Sequence, residues 1–237
     1  ELDWAFAEQR IGSFSARVGR IPIPKGHVNE MRDVGTLLPF YMASKAFYTD
    51  GVETVDGFTG RFSQTLGSVD FEAQAFTGEI PIVVSISGQS GPQVVDLDGK
   101  GAYGGQLTFG LPLRGAKILG GFFDTEIQLG AGDQIGWDHR WVSAEYQADD
   151  YYGRAEKAWS FVESYQNIRM FYVEAGTRVW DRVWINGQYE SSKAEILAPP
   201  IAGHEYQPVK DWAIGVSYRV NSTLVLKGEQ HFSNGTH

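Results

Sequence analysis

Residues 17–51 read RVGRIPIPKGHVNEMRDVGTLLPFYMASKAFYTDG. The segment leaves an alternating run through Pro22 and Pro24, then continues for about twenty-five residues rich in turn formers, aromatics and charge. A connection that long without structure of its own is uncommon inside a compact domain and usually carries function. What flanks it is therefore the first question, because a long loop is informative only when the wall that holds it is known.

The flanks alternate with period 2. Leu2, Trp4 and Phe6 alternate with Asp3, Ala5 and Ala7, and Phe14, Ala16 and Val18 with Ser15, Arg17 and Gly19. The pattern recurs at Phe71–Ala73–Ala75, Leu107–Phe109–Leu111, Leu119–Phe123–Ile127 and Trp212–Ile214–Val216–Tyr218. No segment sustains a 3.6-residue period, and the best helical candidate, residues 154–164, is short and mixed. The chain reads as all-β.

Connections carry further information, because they alternate in length. Short turns are expected at residues 11–13, 67–68, 113–117, 149–153, 179–182 and 221–222, and longer connections at 24–50, 78–101, 130–138, 164–167 and 196–210. A strand between each pair gives about twelve strands, each long enough to cross a bilayer when tilted. Short turns on one side and long loops on the other predict an antiparallel up-and-down transmembrane β-barrel. The strand faces agree, one being Phe, Leu, Val, Ala and Gly and the other rich in charge. Lipid would meet the first and water the second. Trp4, Trp141, Trp159, Trp180, Trp184 and Trp212 fall near strand ends, where interfacial belts form. The competing reading is a soluble or secreted β-sandwich that binds or cleaves a glycan, with the same faces as core and surface.

Composition narrows the classes. The 237 residues carry a formal charge of −9, which argues against a general nucleic-acid binder, and no cysteine, which removes disulfides and thiolate chemistry. No run of eighteen apolar residues marks a membrane-spanning helix. The opening ELDWAFAEQR lacks the basic and apolar regions of a signal peptide. The five histidines show no metal-ligand spacing, and no cofactor or catalytic motif stands out.

Gly19, Arg20 and Pro24, then Arg32-Asp33-Val34-Gly35 with Pro39, then Asp50-Gly51-Val52, form a pattern that resembles Gram-negative outer-membrane porins. The resemblance implies a passive diffusion channel of about sixteen strands, an expected homotrimer embedded in outer-membrane lipid. Its implied solutes are small, hydrophilic molecules and ions. The porins it resembles have a leader, earlier strands and a last strand ending on an aromatic residue. By that comparison this chain, ending HFSNGTH, is expected to be a partial barrel.

A channel needs a polar lumen and a constriction rather than a reaction. The alternation assigns Arg17, Arg61, Arg154, Arg178, Arg219 and Lys227 to the lumen with Asp3, Asp70, Glu72, Asp124, Glu126, Glu145, Glu156, Glu174, Glu190 and Glu229. Acids outnumber bases, which predicts a weak cation preference. Residues 24–50, with Lys25, His27, Glu30, Arg32, Asp33 and Lys45, are the first candidate constriction; Arg32 and Asp33 have the alternative role of pinning the loop to the wall. Residues 78–101, with IPIVVSIS, Asp96 and Asp98, are the second. Asp124 and Glu126 are also spaced like a glycosidase pair, a reading with little else behind it.

Overall fold

The computed structural model describes residues 4–234 apart from 33, 35, 49–50, 89–90, 129–132 and 199–202, and leaves aside the side chains of 83–96. Asp3, Asp33 and the Asp96 side chain therefore lie outside the described residues. Twelve strands follow one another: β1 (Ala5–Ile11), β2 (Phe14–Pro22), β3 (Thr54–Leu66), β4 (Val69–Gly88), β5 (Gly91–Gly110), β6 (Ala116–Gln128), β7 (Gln134–Gln147), β8 (Tyr151–Val162), β9 (Gln166–Trp180), β10 (Val183–Ile196), β11 (Glu205–Arg219) and β12 (Val225–Ser233). They form one sheet in chain order, each strand antiparallel to the next, with β1 and β12 as its edges. Among the described residues this single continuous sheet has no second layer to face, so the β-sandwich reading is set aside.

Two expected loops are not loops. Residues 78–101 belong to the β4–β5 hairpin, which stays paired as far as Gly88↔Gly91, with register shifts at Gly78/Ile80 and Lys100/Tyr103. Gly78 and Gly101 looked like strand ends in the sequence but are points where the ladder slips, as glycines at bulges do. The second constriction candidate is thereby corrected to wall. Residues 164–167 shrink to a turn at 163–165. The long side keeps residues 23–53 and 197–204, opposite tight turns such as 12–13, 67–68 and 181–182.

One face of the sheet is an exposed apolar surface. Phe14, Val18, Phe58, Leu107, Phe109, Ile118, Phe122, Val142, Trp159, Phe171, Val173, Ile185, Trp212, Ile214, Val216, Tyr218, Leu226 and Phe232 all stand on it. The band begins at the short turns and ends about nine residues up each strand, the length that crosses a hydrocarbon layer when tilted. Above it the same face turns charged, at Arg20, Asp56, Asp124, Glu126, Asp138, Arg140, Arg169 and Lys193. Of the six expected belt tryptophans, Trp159, Trp180 and Trp212 are exposed on the outside or at a turn. The others face inward: Trp141 is buried and donates from Nε1 to Gln106 at 2.8 Å, and Trp184 packs on Tyr152. Trp4 shares the inward phase of Phe6, whose ring lies 4.9 Å from the Arg17 guanidinium carbon. Those three corrections have one cause: the interior is filled, so it too needs apolar and aromatic residues.

The wall is creased where β2, β3 and β4 cross. Gly19 pairs with Gly57, and Gly57 with Gly78. A Cβ on Gly57 would collide with the Thr77 carbonyl, so only glycine admits the neighbouring backbone this closely.

Candidate functional site

The filling is the β2–β3 connection. Ile21 is already buried at the end of β2, and beyond it the chain turns onto the inner face of the sheet instead of into solvent. Its sequence explains the choice. Ile23, Val28, Leu38, Phe47, Tyr48 and Val52 are apolar, and all are buried in one cluster with Phe76, Ile80, Leu119, Phe123, Trp141, Met170 and Tyr172 of the wall. Each large side chain so buried contributes about 2 kcal/mol. Local order is slight: one 3-10 turn at Asn29–Met31 and α1 (Lys45–Tyr48). The two ends of the loop are clamped together by the Ile23 N–H on the Glu53 carbonyl (3.0 Å) and by Asn29, whose Nδ2 donates to both Ile23 and Glu53 carbonyls (2.8 and 2.9 Å).

Carboxylates of the wall then anchor the loop. Glu156 of β8 is fully buried and accepts from the Tyr48 hydroxyl (2.6 Å), the Ser143 hydroxyl (2.5 Å), the His27 N–H (3.2 Å) and the Tyr172 hydroxyl. Gly26, at φ +65°, makes this approach possible, since a Cβ there would strike Glu156 and Tyr48. Glu190 of β10 accepts from the Ser44 hydroxyl (2.6 Å) and the Ala46 N–H (3.0 Å). At the far edge of the sheet, Glu229 accepts from the Tyr41 N–H (2.9 Å), and Lys227 donates to the Phe40 carbonyl (2.7 Å). On the near side the polarity reverses: Glu30 of the loop meets Arg17 (3.3 Å) and Arg61 (2.8 Å) of the wall. The loop therefore spans the concave side from β2 to β12.

Two recesses remain beside it. One, of about 210 Å³, lies over β3–β6 and is lined by His27, Glu30, Arg61, Glu72, Thr108 and Lys117. The other, of about 150 Å³, lies over β8–β12 and includes Arg154, Asn186, Ser217 and Arg219 with Leu37 and Pro39 of the loop. Behind the loop Arg154 bridges Glu145 (3.3 Å) and Glu174 (3.6 Å), and Lys117 reaches Glu145 at 2.8 Å. His27 carries the loop's titratable ring: both ring nitrogens are buried without a hydrogen-bond partner among the described residues. Burial lowers its pKa to about 4, with Glu145 pulling the other way. Burial, then the Glu156 carboxylate, raises the pKa of Tyr48 well above the ordinary phenol, so it stays a donor.

The expected lumen residues separate into groups. Arg17, Arg61, Asp70, Glu72, Glu145 and Arg219 do face inward. Arg178 is at the short-turn rim, where it binds Asp150 of the β7–β8 turn. Asp124 and Glu126 are corrections: Leu119, Phe123, Thr125 and Ile127 take the inward phase of β6, so both acids are on the outside, above the apolar band. The alternation was read with its phase reversed because β6 faces the loop's apolar cluster rather than water. That placement also removes the suggested carboxylate pair from any enclosed site. Lys25 is a second correction, being fully buried at the edge of the recess over β3–β6 with Nζ 3.4 Å from the Val52 carbonyl. Arg32 was expected to pin the loop to the wall; the contacts shown here hold the loop to its own end, with Arg32 donating to the Tyr48 carbonyl (2.9 Å) and pairing with Glu53.

What the sequence did not disclose is the partnership of anchors. Glu156, Glu190, Glu229 and Lys227 were expected in the lumen only as charges, and Tyr48, Ser143 and Tyr172 were not expected at the site. A local pattern shows which face a residue takes, not which loop atom lies above it. One grouping invites an enzymatic reading: Asp211 accepts from Ser233 and contacts His231 Nδ1 (2.6 Å). The carboxylate sits between the hydroxyl and the ring, the reverse of a triad order in which the imidazole must reach the nucleophile.

No protein-family model matches the chain, and no curated protein sequence does. Solved structures do match. Salmonella typhi OmpF in complex with daunomycin superposes with a TM-score of 0.68 at 15% identity, over 98% of this chain and 71% of that one. A loop L8 deletion mutant of OmpT, an outer-membrane protein of Vibrio cholerae, gives 0.66 at 12% identity, over 99% and 74%. The in-vitro folded OmpT gives 0.63 at 13%, over 98% and 70%. At such identities the likeness is one of fold, and the fold is that of an outer-membrane β-barrel.

Proposed function

We propose that this chain forms the wall and constriction loop of a water-filled outer-membrane channel in a Gram-negative cell, passing small hydrophilic solutes and ions by passive diffusion. The observation that carries the reading is the loop of residues 23–53, tied across the concave side by Glu30, Glu156, Glu190 and Glu229 while the convex side is an exposed apolar band. A wall with lipid on one side and a charged, partly blocked interior on the other selects by width and charge and needs no reacting group. No enzymatic role is included in the proposal.

Selectivity follows from which charges remain available to water. Glu156 and Glu190 are buried in anchoring, and Asp124 and Glu126 are outside, so the ten acids first assigned to the lumen fall to six, level with the six bases. Asp70 and Glu72 near the short-turn mouth oppose Arg61 and Arg219, and the proposed cation preference is weak. Planar-bilayer recording of the refolded chain under a salt gradient tests both parts. Ohmic channels with a small cation-directed reversal potential are expected. Absence of channels would reject the function, and clear anion selectivity would reject the charge reading. The homotrimer belongs to the same proposal and is read by chemical crosslinking in detergent.

A further inference from the structure

The two recesses beside the loop differ in the sign of their lining. Over β3–β6 the recess sets Arg61 and Lys117 among Glu30 and Glu72, so it favours neither charge. Over β8–β12 the described side chains that line the recess include two guanidiniums, Arg154 and Arg219, and no carboxylate. Arg154 is matched by Glu145 and Glu174 behind it. Arg219 is not: its guanidinium has no ion-pair or hydrogen-bond partner among the described residues. In a chain of net charge −9, an unmatched cation beside a partly enclosed space is a local reversal of sign.

A second donor lies deeper in the same recess. Asn186 is 2% exposed, and its Oδ1 accepts from the Tyr152 hydroxyl at 3.2 Å. Its Nδ2 is buried with no partner among the described residues. A donor left in that state costs about 1–3 kcal/mol, which an acceptor entering the recess recovers. Two glycines permit the arrangement. A Cβ on Gly176 would strike both Asn186 Oδ1 and the Tyr152 ring, and one on Gly215 would press on Phe40 of the loop.

Apolar surface shares the space. Trp184 packs on Tyr152 with ring centres 6.0 Å apart, and the loop contributes Leu37 and Pro39. The volume of about 150 Å³ has room for one six-membered ring, since an apolar cavity of that size accepts benzene. Tyr152, Trp184 and Arg219 stand at the short-turn ends of β8, β10 and β11, which puts the recess at that mouth of the wall.

We infer that this recess is a binding site for a small monocarboxylate whose apolar body is about the size of one ring. Arg219 and Asn186 Nδ2 take the carboxylate, and the body lies among Trp184, Leu37 and Pro39. The carboxylate gives the orphan amide a charge-assisted bond and gives Arg219 the counter-ion that the lining lacks. An amine finds no carboxylate here, and an inorganic anion leaves the apolar surface bare. The inference deepens the channel reading by naming a solute class that the passage retains, and it rests on that reading for this consequence alone.

The test titrates the refolded full chain in detergent with 4-fluorobenzoate, followed by fluorine NMR, with 4-fluorobenzamide as the uncharged counterpart and acetate as a competitor without the ring. Saturable binding of the benzoate is expected, with the benzamide and acetate each weaker by about tenfold or more. Arg219→Gln and Asn186→Ala are each expected to weaken binding about tenfold. Arg182→Gln, which removes a cation of the neighbouring turn already held by the Val220 carbonyl, is expected to leave it unchanged. Heat-modifiable migration reports the folding of each variant, and the two comparison ligands test the native chain without any substitution. Equal affinity for the benzamide would show partition onto apolar surface and overturn the inference. Equal affinity for acetate, or an equal loss in Arg182→Gln, would overturn it as well. Bilayer recording is run separately: channels formed by a chain that does not bind the acid would overturn this inference alone, whereas binding by a chain that opens no channel would overturn the channel reading and leave the site.

Discussion

Glu156 concentrates the site's chemistry in one side chain. It is fully buried, and four donors from β7, β9 and the loop converge on it. Removing a buried acceptor leaves its donors without partners, a cost of about 3 kcal/mol. Glu156→Ala is therefore expected to lower the unfolding free energy by about that amount and to make the open channel noisier, as current recordings and denaturant titration would show. Unchanged noise and stability would mean that the loop is held by its apolar cluster alone. His27 adds a pH dependence. Its folded pKa of about 4 lies below the unfolded 6.5, so between those values the unfolded or undocked state binds more protons. This contribution is complete above pH 6.5, is lost as pH falls towards 4, and is at most about 3 kcal/mol. In His27→Gln that segment of the stability–pH curve should flatten, which thermal melts across the window would reveal.

The loop between β2 and β3 was legible as the important element, and its inward fold follows from physics the sequence contains. Its apolar residues need burial, and its charges need partners on the opposite wall. The strand faces were legible wherever the inside is wet, as at Arg61, Asp70 and Glu72. They were misread where the inside is dry, as at Asp124 and Glu126, because β6 turns Phe123 toward the loop. Periodicity gives two faces but not which one faces in. The anchors were illegible for a different reason: Glu190 and Ala46 are 144 residues apart. Deleting residues 25–45 removes Glu30, Tyr41 and Ser44 from their anchors, and single-channel conductance is expected to rise severalfold. No increase would show that the passage is narrowed elsewhere. Arg32→Ala tests a subtler point, since it loosens the loop's own end at Tyr48 and Glu53. A loss of about 1–2 kcal/mol with little change in conductance is expected.

For the whole molecule the decisive property is the inversion of solubility. The convex surface carries Ile11, Phe14, Val216 and Phe232 in the open, a pattern that water disfavours and lipid accepts. The chain is expected to partition with outer membranes, to need detergent for extraction, and to migrate differently before and after heating. Recovery in the aqueous fraction without detergent would contradict this. The loop's reach has a further consequence, which concerns time. Its farthest anchor is reached only late in the chain: the contact from Tyr41 to Glu229 spans 188 residues. Contacts of such separation pay the largest loop-closure entropy and form late. A chain whose β11–β12 hairpin has not yet been laid down lacks the Glu229 and Lys227 ties of its own obstruction, so the loop's last fastening across the wall is made at the end of assembly.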